Sequence, residues 1–287
     1  MKKCPYCGKE YSDDVTRCLV DNELLSGQES QPPTDQSEIA DPVPPSLAVA
    51  SLPTAIWTER QLCIIEIVLV CTIAFGGSIL VSGHFLFFGY SGQSSFGGSG
   101  LFGWLYRSLF EASALGLLWY VLLRHGKNFS SLGLSWKWKD IGWSIVLLVG
   151  GAIAFYAVYA AIHFSGLPAV SQKTSSIRVA DGLFGGGISV VTIVFLCLNP
   201  FFEELIVRAY LMTEIKKLTN STAKAIIASM ALQTSYHFYQ GVPLALADGA
   251  LFLIYSIYYA KTNRIAPIIL AHLYCDVGST FWYLLRQ

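Results

Sequence analysis

The sequence predicts an all-α protein, a polytopic bundle of about seven or eight transmembrane helices with a small zinc-ribbon-like module at its N-terminus. Hydrophobic residues make up 53% of the 287 residues and charged residues only 13%, and the mean hydropathy is +0.50. Soluble domains average about 25% charged residues, so this composition is typical of a membrane protein. In addition, the apolar residues are gathered in long runs, each near the roughly 20 residues that a helix needs to cross a bilayer.

The first 25 residues are polar and carry three cysteines, and no secretory signal peptide is expected in them. The pair Cys4 and Cys7, followed by Gly8, resembles a zinc-ribbon knuckle, and Cys18-x-x-Asp21 supplies a second half. We therefore expect structural Zn²⁺ on Cys4, Cys7, Cys18 and Asp21, in a closed site without an open position for chemistry. The alternative is a degenerate ribbon that has lost its metal. Retained thiols also favour the reducing side of a membrane.

Residues 26–56 are rich in Pro, Ser, Gln and Asp, which predicts a disordered linker because the segment has too little apolar content for a core. The expected domains are therefore a ribbon-like module at 1–25, this linker, and a membrane domain at 57–287. Such a linker would allow the ribbon to recruit a protein partner. The formal net charge of zero argues against a nucleic-acid partner.

Seven apolar runs follow in the membrane domain, and each is predicted to form a transmembrane helix. They cover about 61–82, 104–124, 141–164, 186–211, 224–240, 243–260 and 265–285. The loop at about 83–103 contains no lysine or arginine, whereas the loops after the second, fourth and sixth runs contain several. By the positive-inside rule, this pattern predicts a multi-pass protein of the cell membrane with its N-terminus in the cytoplasm.

Three ionisable residues in the fourth apolar run mark the first candidate site. Glu203, Glu204 and Arg208 follow an apolar stretch, and charged groups at such depth indicate a functional site by default. On a helix Glu204 and Arg208 are four residues apart and share a face, so they can form an ion pair. Glu203 points about 100° away, which leaves it free for another role. The alternative is a buried ion-pair cluster that only fixes helix packing.

Two histidines in later runs join these groups. His237 lies in the fifth run, and His272 lies in the seventh, four residues before Asp276 and therefore on the same helix face. A single histidine in a membrane helix is more often a hydrogen-bond donor between helices. Together with the two glutamates and the arginine, however, these residues favour one polar cavity shared by three helices.

The order Glu-Glu-x-x-x-Arg, isolated His, and His-x-x-x-Asp resembles the CAAX protease and bacteriocin-processing family, which includes intramembrane glutamic endopeptidases. Leu132-Gly-Leu and the run from Arg264 to His272 also look like family features. Two positions depart from the family pattern. Gln233 stands where the family usually has phenylalanine, and Asp276 stands where it often has asparagine.

The resemblance implies a mechanism for these residues. Glu203 and His237 would activate a water, with Glu203 as the general base, and His272 would donate to the developing oxyanion with help from Asp276. Arg208 would keep Glu204 ionised and fix the helix face. No cofactor would be required for catalysis, and the substrate would be a peptide or a membrane protein.

Three other functions fit the same residues. Two histidines and a carboxylate can form a catalytic zinc site, although the His-Glu-x-x-His spacing is absent. A non-enzymatic scaffold or bacteriocin-immunity protein could retain the cluster for packing or partner binding. A transporter is the least favoured, since no paired broken-helix repeats are visible.

Overall fold

The computed structural model describes residues 2–3, 10–12, 15–16, 57–88, 100–165 and 188–285. The chain divides into two units, Met1–Thr54 and Ala55–Gln287. In the first unit, strands β1 (Lys2–Lys3) and β2 (Glu10–Tyr11) pair antiparallel, with Lys2 opposite Tyr11. The predicted zinc ligands Cys4, Cys7, Cys18 and Asp21 and the predicted linker 26–56 lie outside the described residues.

Seven long helices account for most of the described part of the second unit. They are α1 (Glu59–Phe88), α2 (Leu101–Arg124), α3 (Lys139–Phe164), α4 (Val190–Thr219), α5 (Thr222–His237), α6 (Val242–Thr262) and α7 (Ala266–Leu284). Each helix coincides with one predicted apolar run, which confirms the all-α prediction for this unit. The predicted loop at 83–103 begins too early, because α1 continues to Phe88 and buries Phe85.

Four of these helices are long and apolar enough to cross a membrane: α1, α3, α4 and α6. Many apolar side chains on their outer faces are exposed, such as Leu80 and Ile153, as expected where a helix faces lipid. The predicted count of seven or eight spans is not confirmed. Helix α5 has 16 residues and is only about 24 Å long, short of the roughly 30 Å hydrocarbon core. Helix α2 is long enough to cross, but the charged residues Arg107 and Glu111 interrupt its apolar run, and it is not among the four.

Helix α4 packs against several other helices and carries three of the predicted site residues, Glu203, Glu204 and Arg208. It begins with a capping box, in which Ser189 and Thr192 satisfy each other's backbone amides, and it ends at Asn220 in the left-handed conformation. Its apolar face packs against α2, α5 and α7, while α3 packs against α6 and α7. The core of the unit therefore surrounds α4.

A π-helical turn interrupts α4 at Glu204–Tyr210, and all seven of its side chains are buried. Pro200 lies one turn before it and cannot donate a backbone hydrogen bond. A π turn widens the helix and shifts the register of the residues that follow, and such turns are frequent at functional sites. Here the irregular turn begins at the second of the two adjacent glutamates.

The start of α3 and the loop before it are fixed to the loop between α6 and α7. Asp140 is buried and forms an ion pair with Arg264 at 2.6 Å. Gly133 has φ +83°, and its carbonyl accepts a hydrogen bond from the backbone of Ile265. A Cβ on Gly133 would lie 1.8 Å from the carbonyl oxygen of Asn263, so only glycine fits this close approach. Leu132-Gly-Leu and the run that begins at Arg264, which the sequence analysis noted separately, therefore contact each other in the structure.

Candidate functional site

The candidate site is a cavity of about 630 Å³ enclosed by residues from α1, α2, α4, α5, α6 and α7. All four side chains predicted to be catalytic line it. They are Glu203, His237, His272 and Asp276. The structure therefore brings residues of the three separate motifs together in one cavity. Most of the remaining wall is aromatic or aliphatic, including Phe75, Trp104 and Phe202.

Glu203 is almost completely buried, at 8% exposure, and two side chains of α5 hold one of its oxygens. Its Oε2 accepts hydrogen bonds from the Tyr236 hydroxyl at 2.7 Å and from the Gln233 amide at 2.8 Å. The other oxygen, Oε1, lies 3.5 Å from the amide nitrogen of Asn199. Oε2 is therefore fixed, whereas Oε1 has one long hydrogen bond within the described part of the chain and is the oxygen better able to accept a proton.

Glu204 is fully buried and links its own helix to α7. Its Oε2 pairs with the Arg208 guanidinium at 2.7 Å, as its four-residue spacing predicts. Its Oε1 accepts a hydrogen bond from Nδ1 of His272 at 2.6 Å. The neighbouring glutamates therefore have separate partners: Glu203 is held by α5, and Glu204 by Arg208 and α7.

Arg208 has no exposed surface and contacts three kinds of partner. Besides Glu204, it donates from Nη1 to the side-chain oxygen of Gln233 at 3.1 Å. Its Cζ lies over the ring of Phe252, 4.4 Å from the ring centroid, in a cation–π arrangement. Its Nε and Nη2 have no hydrogen-bond partner among the described residues. The aromatic ring therefore helps to stabilise a cation that is otherwise far from water.

Gln233 joins the two halves of this network. Its side-chain oxygen accepts from Arg208, and its side-chain nitrogen donates to Glu203. An amide is suited to this position because it carries both a donor and an acceptor, whereas a phenylalanine carries neither. At the position where the resemblance leads us to expect phenylalanine, this chain therefore has a polar bridge that orients Glu203.

His237 is oriented by its own helix. Its Nδ1 lies 2.8 Å from the backbone oxygen of Gln233, and because a carbonyl can only accept, Nδ1 carries the hydrogen. In the neutral ring Nε2 is then an acceptor. The ring packs beside Tyr236 and Phe252, with centroids 4.6 Å and 5.5 Å away. His237 can therefore present a lone pair to a molecule in the cavity.

His272 lies between two carboxyl groups. Its Nδ1 donates to Glu204, and its Nε2 lies 3.7 Å from Oδ1 of Asp276, one helical turn later. That second distance is too long for a hydrogen bond but leaves the two groups close enough to attract each other. Because Nδ1 already carries a hydrogen, Nε2 can donate only when the ring is doubly protonated. Negative charge on both sides of the ring supports that form.

The sequence analysis assigned no role at this site to three of its side chains. Tyr236 and Gln233 hold Glu203, and Glu111 of α2 lines the cavity while only 5% exposed. Tyr236 gave no separate signal, since it lies beside His237 in an ordinary helical run, and Gln233 was noted only as a departure from the family pattern. Glu111 did give a signal, because it is a carboxylate inside the apolar run 104–124.

The described residues contain no group of three or more His, Cys, Asp and Glu side chains placed to hold a metal ion. Within that part of the chain, the carboxylates and histidines of the cavity are arranged as hydrogen-bond and ion-pair partners. The four predicted ligands of the N-terminal module are not among the described residues, so the predicted structural zinc stays a prediction.

Part of the chain matches the model of a known protein family. Residues 185–278 match the family described as type II CAAX prenyl endopeptidase Rce1-like. The matched segment contains all three motifs of the cavity and runs from the start of α4 into α7. No curated protein and no solved structure matches the chain. The match confirms the resemblance to CAAX-type membrane endopeptidases, and the four long apolar helices fit a membrane protein.

Proposed function

We propose, with this family match as the premise, that the chain is an intramembrane endopeptidase that hydrolyses peptide bonds with a water activated by Glu203 and His237. One observation carries the proposal: Glu203, His237, His272 and Asp276 line a single cavity although they come from three helices. The cavity is large enough for several residues of an extended peptide, and its mainly apolar wall suits a substrate that lies in or near the bilayer.

The first step is attack by water. Oε1 of Glu203 accepts a proton from the water, and Nε2 of His237 accepts a hydrogen bond from it, so the water oxygen is aimed at the scissile carbonyl carbon. The hydrogen bonds from Tyr236 and Gln233 keep the Glu203 carboxylate in place during this transfer. The new carbon–oxygen bond converts the carbonyl oxygen to an oxyanion.

The second step is collapse of that intermediate. Nε2 of the doubly protonated His272 donates to the oxyanion, and Glu204 and Asp276 stabilise the ring's positive charge. The carbonyl re-forms, the carbon–nitrogen bond breaks, and Glu203 returns its proton to the leaving amine. Asp276, as a carboxylate, does not itself donate, so its role here is to orient and charge-stabilise His272.

The decisive experiment is Glu203→Gln in the purified full chain, assayed by cleavage of a peptide library. The amide keeps the shape of the side chain but cannot take the proton, so we expect a loss of about 10²- to 10⁴-fold in rate. His237→Ala should lose a similar amount, and the double variant should lose little more, because both groups act on one water.

Two controls separate chemistry from folding and from metal catalysis. Glu59→Gln changes an exposed carboxyl at the start of α1 and should leave cleavage and thermal stability unchanged. Chelator treatment of a chain lacking residues 1–50 should leave cleavage intact. Full activity of Glu203→Gln would refute the proposed base, and activity lost to chelator but restored by Zn²⁺ would identify a metalloprotease. A well-folded wild-type protein that cleaves no peptide would favour a scaffold.

A further inference from the structure

Glu111 belongs to none of the three motifs, yet it is a buried acid in the wall of the same cavity. It lies on α2, is 5% exposed, and lines the cavity together with Glu203, His272 and Asp276. Its Oε2 has no hydrogen-bond partner among the residues that the structure describes. A carboxylate removed from water is unfavourable unless a donor or a cation compensates it. The missing partner can come from a molecule that enters the cavity.

The charges around the cavity indicate which kind of molecule fits. Three carboxyl groups line it, Glu111, Glu203 and Asp276, and the guanidinium of Arg107 is the one fixed cation among the described lining residues. With His272 doubly protonated as well, three ionised carboxyl groups still outnumber the two cations, so the wall is net negative. Glu203 already receives two short hydrogen bonds on Oε2, whereas Oε2 of Glu111 receives none. Arg107 lies four residues before Glu111 on the same helix and attracts its carboxyl group, but Oε2 of Glu111 remains without a hydrogen-bond partner among the described residues. An entering cationic group can therefore pair with this oxygen.

The surroundings of Glu111 also suit a long basic side chain. Trp104, Tyr106 and Phe110 of the same helix line the cavity beside it. Trp104 already stacks under a guanidinium, since the Arg107 carbon Cζ lies 5.2 Å from its ring centroid. Lysine and arginine bury their aliphatic stems against apolar surface while the charged end reaches a carboxylate, and their charges are attracted to aromatic faces.

We propose that Glu111 is a specificity-determining residue that binds a basic side chain of the peptide substrate. The proposal rests on the proposed protease function and adds the substrate class: peptides with lysine or arginine close to the scissile bond. Glu111 acts on substrate binding and orientation and takes no part in the proton transfers of Glu203.

The test compares pairs of N-acetylated peptides that differ only by lysine or glutamine at one position, scanned across each cleavable sequence. We expect the wild type to favour the lysine peptide in kcat/KM, and Glu111→Gln to reduce that ratio by about 10- to 100-fold, the range for a hydrogen bond to a charged group. Glu111→Asp keeps the charge and should retain part of the preference. The same glutamine peptides with a free N-terminal amine show whether that amine can replace the lysine side chain at Glu111.

A separate binding experiment tests this inference independently of the proposed catalytic mechanism. Labelled lysine and glutamine peptides are titrated onto Glu203→Gln, with and without Glu111→Gln, to give Kd ratios that need no cleavage. A lysine preference that disappears with Glu111→Gln supports the inference even if no variant cleaves peptide. An unchanged ratio in both assays overturns it. An equal loss of both peptides in a variant of normal thermal stability also overturns it, because Glu111 would then serve the chemistry in general.

Discussion

Replacing Gln233 with leucine tests the polar bridge on which the candidate base depends. The substitution keeps a side chain of similar size but removes the donor to Oε2 of Glu203 and the acceptor for Nη1 of Arg208. Each is a hydrogen bond to a charged group, typically worth about 1.5–3 kcal/mol. Glu203 retains the Tyr236 hydroxyl and Arg208 retains Glu204. We therefore expect a loss of about 3 kcal/mol in unfolding free energy, the low end of the sum.

Activity should fall as well, since Oε2 of Glu203 is then held by one donor instead of two. Gln233→Glu provides the matched comparison, because a carboxylate at this position still pairs with Arg208 but repels Glu203. Gln233→Glu should therefore be more stable than the leucine variant, but its loss of activity should be larger than its loss of stability alone would cause. The assay measures peptide cleavage and denaturation in detergent on the same preparations. A leucine variant as stable and as active as the wild type would refute the bridging role of Gln233.

Four further predictions rest on named contacts or on patterns in the sequence. Tyr236→Phe keeps the ring stacked on Phe75 but removes a 2.7 Å hydrogen bond to Glu203, so the unfolding free energy should fall by about 1.5–3 kcal/mol in denaturation measurements. Gly133→Ala forces a Cβ into a neighbouring backbone and should lower the melting temperature, whereas Gly116→Ala, which meets no atom within 4 Å, should not. The N-terminal module should bind one Zn²⁺ per chain by elemental analysis, and zinc-free protein would contradict this prediction. If the N-terminus faces the cytoplasm, the loop after the first apolar run faces outside, so an impermeant thiol reagent should label a Ser94→Cys probe on intact cells. Labelling only after lysis would contradict that orientation.

The helices were predictable because each apolar run is long and bounded by polar or glycine-rich sequence. Their ends were less so, as α1 shows: it continues to Phe88 because contacts made in three dimensions extend it. Ser82 donates to the backbone oxygen of Tyr236 and accepts from the backbone of Tyr239, and Phe85 is buried. None of these contacts is visible in the local sequence. The number of membrane crossings stayed open because length and hydropathy clearly qualify only four helices.

The motif residues of the site were predictable by type and spacing, but their partners were not. The spacing of Glu204 and Arg208 predicts their pair, yet nothing in it predicts that Glu204 also bonds to His272, 68 positions later. Gln233 was recognised only as a departure from the family pattern, because its two partners lie on another helix. Glu111 could have been found, since the rule that singled out Glu203 applies equally to a carboxylate in the run 104–124.

Two adjacent carboxylates buried at one point repel each other, and the structure shows how this sequence accommodates both. The π turn begins at Glu204, so the two side chains leave α4 toward different neighbours. Glu204 is compensated by Arg208 and His272, whereas Glu203 is held by neutral donors, Tyr236 and Gln233. Neutral donors fix a carboxylate without cancelling its charge. Glu203 is therefore the member of the pair that remains able to accept a proton from a molecule in the cavity.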